Sequence, residues 1–150
     1  MNDYPDTSFL CGVYRKQDNT PEALAYRSSM TEPLCVSTLL EFEFRQAIRL
    51  QVWLHSQERK KGYTQAEANQ MIADWESDIA AGHVAIVPTD ADAVLRMAEH
   101  LSKTHTMLTG NRTLDILHVA TAKHLSAKSF LSFDERQKKL AKAAGLKTPL

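Results

Sequence analysis

Three short apolar runs, Leu34-Cys35-Val36-Ser37, Val84-Ala85-Ile86-Val87 and Ser129-Phe130-Leu131-Ser132, are separated by long stretches of helical periodicity. Parallel strands need a crossover of about a dozen residues or more, usually a helix, where antiparallel strands need only a tight turn. The spacing therefore points to an α/β fold on a parallel sheet. A brief first strand is predicted at Asp3–Pro5, running into Asp6-Thr7-Ser8, and Lys147-Thr148 begins a short fifth. Helices are predicted from Ser8 to about Lys16, from Thr20, from Thr38 to Ser56, from Thr64 to Ala81, from Thr89 to about Lys103, from Thr113 to Leu125 and from Asp134 to Ala144. Their punctuation is local. Thr20-Pro21 is a cap with proline at the first helical position, Thr64 and Glu67 form a capping box, and Gly82 and Gly145 are stops. Lys60-Lys61-Gly62 breaks the pattern between two helices. With no internal repeat, low-complexity tract or linker, residues 1–150 are expected to form one domain.

Lys plus Arg equals Asp plus Glu at 18 each, so net charge does not argue for a nucleic-acid partner, although local distribution matters more than the sum. No apolar run approaches the roughly 20 residues of a membrane span, and the start, MNDYPDTSFLCG, lacks a signal-peptide pattern. A cytoplasmic protein without a membrane partner is expected. Cys11 and Cys35 are isolated in apolar surroundings and are expected as free thiols. Nucleotide cofactors are disfavoured, since neither a Walker A loop nor GxGxxG occurs.

The chemistry concentrates in four acids with apolar or small neighbours, Asp6, Glu43, Asp115 and Asp134. An ionised carboxylate in low dielectric is costly unless it meets a cation or donors. Four converging on one point would repel one another, and a bound metal ion is the simplest compensation. Asp115 stands in the first turn of a segment apolar nearly all round, Leu114-Asp115-Ile116-Leu117-His118-Val119-Ala120, where the alternative role is to satisfy the helix N-terminus. Glu43 shares a helical stripe with Leu39, Ala47, Leu50 and Leu54. Its neighbour Glu41 aligns instead with Arg45 and Arg49, the spacing of a solvated ion pair. Asp134, with Gln137 three residues on, has the pattern of a plain helix cap, and Asp6 also precedes a helix. What raises both is position, at the carboxyl ends of parallel strands, where sites in such sheets form. His118 is expected as a packed helix histidine. Arg45, Arg49, Arg59, Lys60 and Lys61 form a modest basic zone, either a solvated face or a phosphate contact.

The segments Asp6-Thr7-Ser8-Phe9-Leu10, Leu40-Glu41-Phe42-Glu43-Phe44-Arg45-Gln46-Ala47, Arg112 to Ala120 and Phe130 to Gln137 resemble, in order and over nearly the whole chain, the PIN-domain ribonucleases, specifically the VapC-type toxins of toxin–antitoxin modules. The resemblance implies a three-layer α/β/α sandwich with a central parallel sheet of four or five strands. It implies Mg²⁺- or Mn²⁺-dependent cleavage of RNA, a cognate antitoxin and a homodimer, with Trp53, Phe9 and Leu10 as contributors to the dimer. By matched position, Asp6, Glu43, Asp115 and Asp134 are the catalytic and metal-binding acids, and Ser8 supports Asp6. Pro5 departs from the family, which carries an apolar strand residue there. Proline removes a ladder donor, so the first strand is expected to be short or irregular.

Hard oxygen ligands without thiolate or paired histidine favour Mg²⁺ or Mn²⁺ over zinc. Asp6 and Asp115 are expected to touch the ion most directly, with Glu43 and Asp134 acting through water or completing a second site. Single-stranded or looped RNA is the expected substrate form. The acidic pocket is also suited to a basic side chain of the antitoxin. Two alternatives stand beside this. One is a receiver-like phosphoryl-transfer domain, disfavoured because Lys128 precedes the fourth strand instead of following it. The other is a catalytically silent PIN-like binding module.

Overall fold

Every strand is three or four residues long, and all the pairing is parallel. The computed structural model describes residues 2–150, with four strands and seven helices among them. The order is β1 (Asp3–Pro5), α1 (Thr7–Tyr14), α2 (Thr20–Ser29), β2 (Leu34–Ser37), α3 (Thr38–Gln57), α4 (Gln65–Ala80), β3 (Val84–Val87), α5 (Ala91–Thr109), α6 (Thr113–His124), β4 (Ser129–Leu131) and α7 (Glu135–Ala143). β2 pairs with β3 from Leu34 opposite Val84 to Ser37 opposite Val87, and β1 with β4 from Asp3 opposite Ser129 to Pro5 opposite Leu131. Lys147 adds a single parallel bridge to Ser129 at the outer edge of β4, where a fifth strand was expected.

β1 lies against β2 with no ladder between them, giving the spatial order β3-β2-β1-β4 as two pairs side by side. Pro5 accounts for the break in the expected continuous sheet. The Asp6 N–H donates to the Leu131 carbonyl of β4 at 2.9 Å. Alternation along a strand then turns position 5 toward β2, where proline has no N–H to give. Side chains make the join instead: the Tyr4 hydroxyl and Ser37 Oγ, both buried, are 2.7 Å apart. Burial pushes the Tyr4 phenol well above its ordinary pKa, outweighing the lowering by the Ser37 bond, so this bridge is a neutral one.

The main helix contacts fall into two groups, α1 to α4 and α5 to α7. Tyr14, Phe44 and Trp75 bind the first group together, with ring centroids 5.0 to 5.5 Å apart. Aromatic pairs at such distances stabilise beyond the area they bury. Phe9 and Leu10 are completely buried in this core. Both were expected to help form a dimer surface, and that expectation is corrected, because the α1 stripe carrying them faces inward. Trp53, by contrast, is 57% exposed.

Local signals place most helix ends. The Thr64–Glu67 capping box forms at the start of α4. Helix α5 runs six residues beyond the expected Lys103, to Thr109, because no breaker intervenes before Gly110 takes the left-handed conformation at φ 63°. Thr113 is the first residue of α6 and Arg112 occupies its cap position, one residue earlier than expected. After α3 the chain turns at Gly62, φ 61°, tight against the Gln51 backbone carbonyl.

A side chain at position 62 would meet both left-handed strain and that carbonyl. Gly62→Ala is expected to destabilise the fold by about 2 kcal/mol or more, the left-handed conformation alone costing roughly 1–3 kcal/mol. Urea unfolding of the two proteins measures it, and an unchanged midpoint would show that the turn relaxes freely.

Candidate active site

Asp6 follows β1 directly and caps α1, which makes it the meeting point of a strand end and a helix N-terminus. It has no solvent exposure. Ser8 Oγ donates to Oδ1 at 2.7 Å, the Phe9 N–H to the same oxygen at 2.9 Å, and Ser132 Oγ to Oδ2 at 2.6 Å. The two serines are themselves held, Ser8 Oγ accepting from the Phe133 N–H at 2.8 Å and Ser132 Oγ from the Asp134 N–H at 2.9 Å. Burial raises the Asp6 carboxyl above the ordinary range, opposed by the bonds from Ser132, Ser8 and Phe9 and by the charge of His118.

Glu43 approaches from the second turn of α3. His118 Nε2 donates to its Oε2 at 2.6 Å, and Thr7 Oγ1 donates to the same oxygen. Burial acts to raise this carboxyl, but the His118 bond and charge and the Thr7 hydroxyl outweigh it and leave the pKa lowered. Glu41, two residues earlier, belongs elsewhere. It pairs with Arg45 at 3.1 Å and accepts from Trp75 Nε1 at 3.4 Å, while Arg49 is not its partner.

Asp115 lies in the first turn of α6, where its Oδ2 accepts from the Arg112 N–H at 3.0 Å. Asp134 caps α7, accepting from the Arg136 and Gln137 N–H groups at 2.8 and 3.0 Å. Neutral donors and one histidine link the elements that carry the acids. Ser132 bridges Asp6 to the Asp134 backbone, Thr7 ties the start of α1 to Glu43, and His118 ties Glu43 to α6 one turn after Asp115. Thr7 and Ser132 were not singled out from the sequence as site residues, and His118, weighed as a residue that could orient a ligand or substrate, was expected to be a packed helix histidine. Thr7 and Ser132 are flagged only by standing one and two residues from an acid, and His118 only by its spacing from Asp115.

Two observations bear on a metal. None of the four acids has a Lys or Arg partner among the described residues, whereas Glu41, Glu58, Glu99 and Glu135 each have one. The donor set of carboxylates and hydroxyls, without a thiolate, fits a hard divalent ion. Among the described residues, however, no three His, Cys, Asp or Glu side chains stand together as a ready-made ion cage.

The family model described as PIN domain matches residues 4–143. The chain belongs to the PIN-domain family. Among solved structures, FitAcB from Neisseria gonorrhoeae shares the fold at 20% identity and a TM-score of 0.68, over 97% of this chain and 95% of that one. Mycobacterium tuberculosis VapC20, a Sarcin-Ricin loop cleaving toxin, shares it at 17% identity and a TM-score of 0.66, over 97% and 96%. At these identities the likeness establishes the fold. No curated protein matches the chain. Membership in the PIN family sets aside the receiver-like alternative.

In this PIN domain the buried Asp6 gives a pH signature. Its folded pKa lies above the unfolded value, so between the two the folded protein holds the extra proton and loses stability as pH rises. Asp6→Asn carries no charge to desolvate. Without divalent ions its Tm at pH 7 is expected to equal or exceed that of the wild type, with the difference shrinking toward pH 4. Melting curves at both pH values check this, and a variant that is less stable at pH 7 would show that the hydrogen bonds to the carboxylate outweigh its desolvation.

Proposed function

We propose that this PIN domain is a Mg²⁺- or Mn²⁺-dependent endoribonuclease of the VapC type, the toxin of a toxin–antitoxin pair acting in the cytoplasm. The observation that carries the proposal is a set of carboxylates left without a lysine or arginine partner. Asp6, Glu43, Asp115 and Asp134 meet only backbone N–H groups, hydroxyls and one histidine, and Asp6 and Asp134 stand just beyond the carboxyl ends of β1 and β4. The fold shared with VapC20, which cleaves the Sarcin-Ricin loop, supports RNA as the substrate.

The four acids would hold the ion, Asp6 and Asp115 most directly. When bound, it supplies acidification of a water and neutralisation of charge on phosphate oxygens. The chain's own residues do the rest. Ser8 and Ser132 keep the Asp6 carboxylate oriented, and the capped helix starts fix Asp115 and Asp134. A groove of about 690 Å³ runs beside Asp134 between Leu108, Phe133, Arg136 and Lys139. Arg136 and Lys139, beside Asp134 and Glu135 in its lining, would contact an RNA backbone, and the exposed Leu108 would offer an apolar surface to an unstacked base.

A homodimer and an antitoxin belong to the same reading. Phe42, Trp53, Met107 and Leu108 are more than half exposed and would be the apolar side chains such partners cover. A basic antitoxin side chain entering the acidic pocket would compete with the metal ion.

Purified protein incubated with looped RNA is expected to cleave it with Mg²⁺ or Mn²⁺ and to stop when EDTA is added. Asp115→Asn and Glu43→Gln are each expected to lower the rate by roughly a hundredfold or more, the scale of the several kcal/mol that a catalytic ion contributes. Glu41→Gln, which loses a pair with Arg45, is expected to leave the rate nearly unchanged. Metal-independent cleavage, or full activity in Asp115→Asn, would overturn the proposal; no cleavage of any RNA by the wild type would favour a silent binding module.

A further inference from the structure

His118 is 1% exposed and makes a single side-chain hydrogen bond, from Nε2 to Glu43 Oε2 at 2.6 Å. Its Nδ1 has no partner among the described residues. An unpaired buried nitrogen costs stability. An aliphatic side chain of similar size, like its neighbour Leu117, would fill the space in α6 without that cost. Core packing therefore gains nothing from histidine here, and the bond to Glu43 is what the imidazole adds. Thr7 Oγ1 donates to the same carboxylate oxygen. Two donors from two different elements, α1 and α6, thus converge on Oε2 and pin that oxygen in place. Oε1 takes neither of them, in a side chain that is still 25% exposed.

We propose that His118 is a positioning residue that sets the divalent-cation affinity of the acidic site by immobilising Glu43 with Oε1 left free as the ligand atom. The inference rests on the metal-dependent reading above and adds to it a determinant outside the four acids. A glutamate on a long, rotatable side chain loses conformational freedom when it binds an ion. A carboxylate already clamped has lost that freedom on folding. Hydrogen-bonding partners behind metal ligands typically contribute about 10–100-fold in affinity. The clamp also withdraws some charge from the carboxylate, which opposes binding. With both donors on one oxygen, the other keeps its lone pairs, so preorganisation is the larger effect.

The test is a Mn²⁺ titration of full-length protein without RNA, followed by the EPR signal of free Mn²⁺, beside a metal-free melting curve for each variant. His118→Leu removes the donor and keeps the volume. His118→Gln keeps an N–H able to reach Glu43, whereas the shorter side chain of His118→Asn cannot. The Leu and Asn variants are expected to bind Mn²⁺ about 10–100-fold more weakly, and the Gln variant to recover most of the loss. A purely structural role for His118 would lower Tm in all three without this pattern. Mn²⁺ affinity within about twofold of wild type in the Leu variant overturns the proposal. If that variant fails to fold, equal affinities in the Asn and Gln variants overturn it. A wild-type protein that binds no Mn²⁺ overturns both this inference and the metal-dependent reading, whereas normal wild-type binding with unaffected variants removes only the role of His118.

Discussion

A fully buried carboxylate organises this molecule. Asp6 cannot exchange its hydrogen bonds with water, so its donors must come from the protein, and each of them pins a different piece of chain. The Phe9 N–H commits the chain to helix at the end of β1. Ser8 links α1 to the backbone after β4, and Ser132 links β4 to the start of α7. Breaking any one would leave a buried charge short of a donor, which costs more than the bond itself contributes. Residues more than a hundred positions apart are thereby held to one arrangement by a few short bonds.

Among the described residues, none of Asp6, Glu43, Asp115 and Asp134 is paired with a lysine or arginine. A buried acid next to a lysine or arginine would be neutralised, and such ion pairs are common on this protein's surface. The four acids receive hydroxyl, amide and imidazole donors instead. The hydroxyl and amide donors orient a carboxylate without cancelling its charge, and at Asp6, Asp115 and Asp134 the amides come from helix N-termini.

The break between β1 and β2 is a consequence of the same crowded region. Pro5 removes the one backbone donor that would have joined the two strand pairs at the strand end nearest the acids. Tyr4 and Ser37 join them through side chains, and Ser37 also caps α3 by accepting from the Leu40 N–H at 3.3 Å. The strand that carries Asp6 and the helix that carries Glu43 are thus coupled through one hydroxyl pair and through Thr7. A regular ladder would have placed the strands but not the helix start.

Much of this was determined by the sequence alone, because the signals are local. Apolar runs separated by amphipathic stretches specify parallel strands with helical crossovers. The Thr64–Glu67 box and Asp134 each complete their hydrogen bonds within a few residues, and the distinction between Glu41 and Glu43 follows from helical spacing. The order of the four acids along the chain was likewise enough to recognise the family. What only the tertiary structure decided involves partners distant in the chain. Ser132 reaches Asp6 across 126 positions and His118 reaches Glu43 across 75. A histidine on an apolar helix has the same local pattern whether it merely packs or grips a carboxylate, and Phe9 and Leu10 have the same pattern whether they face a partner or the core. Hydrogen-bond donors act over about 3 Å, so the choice between such roles is made by which elements come to lie against each other, and no spacing along one segment encodes that.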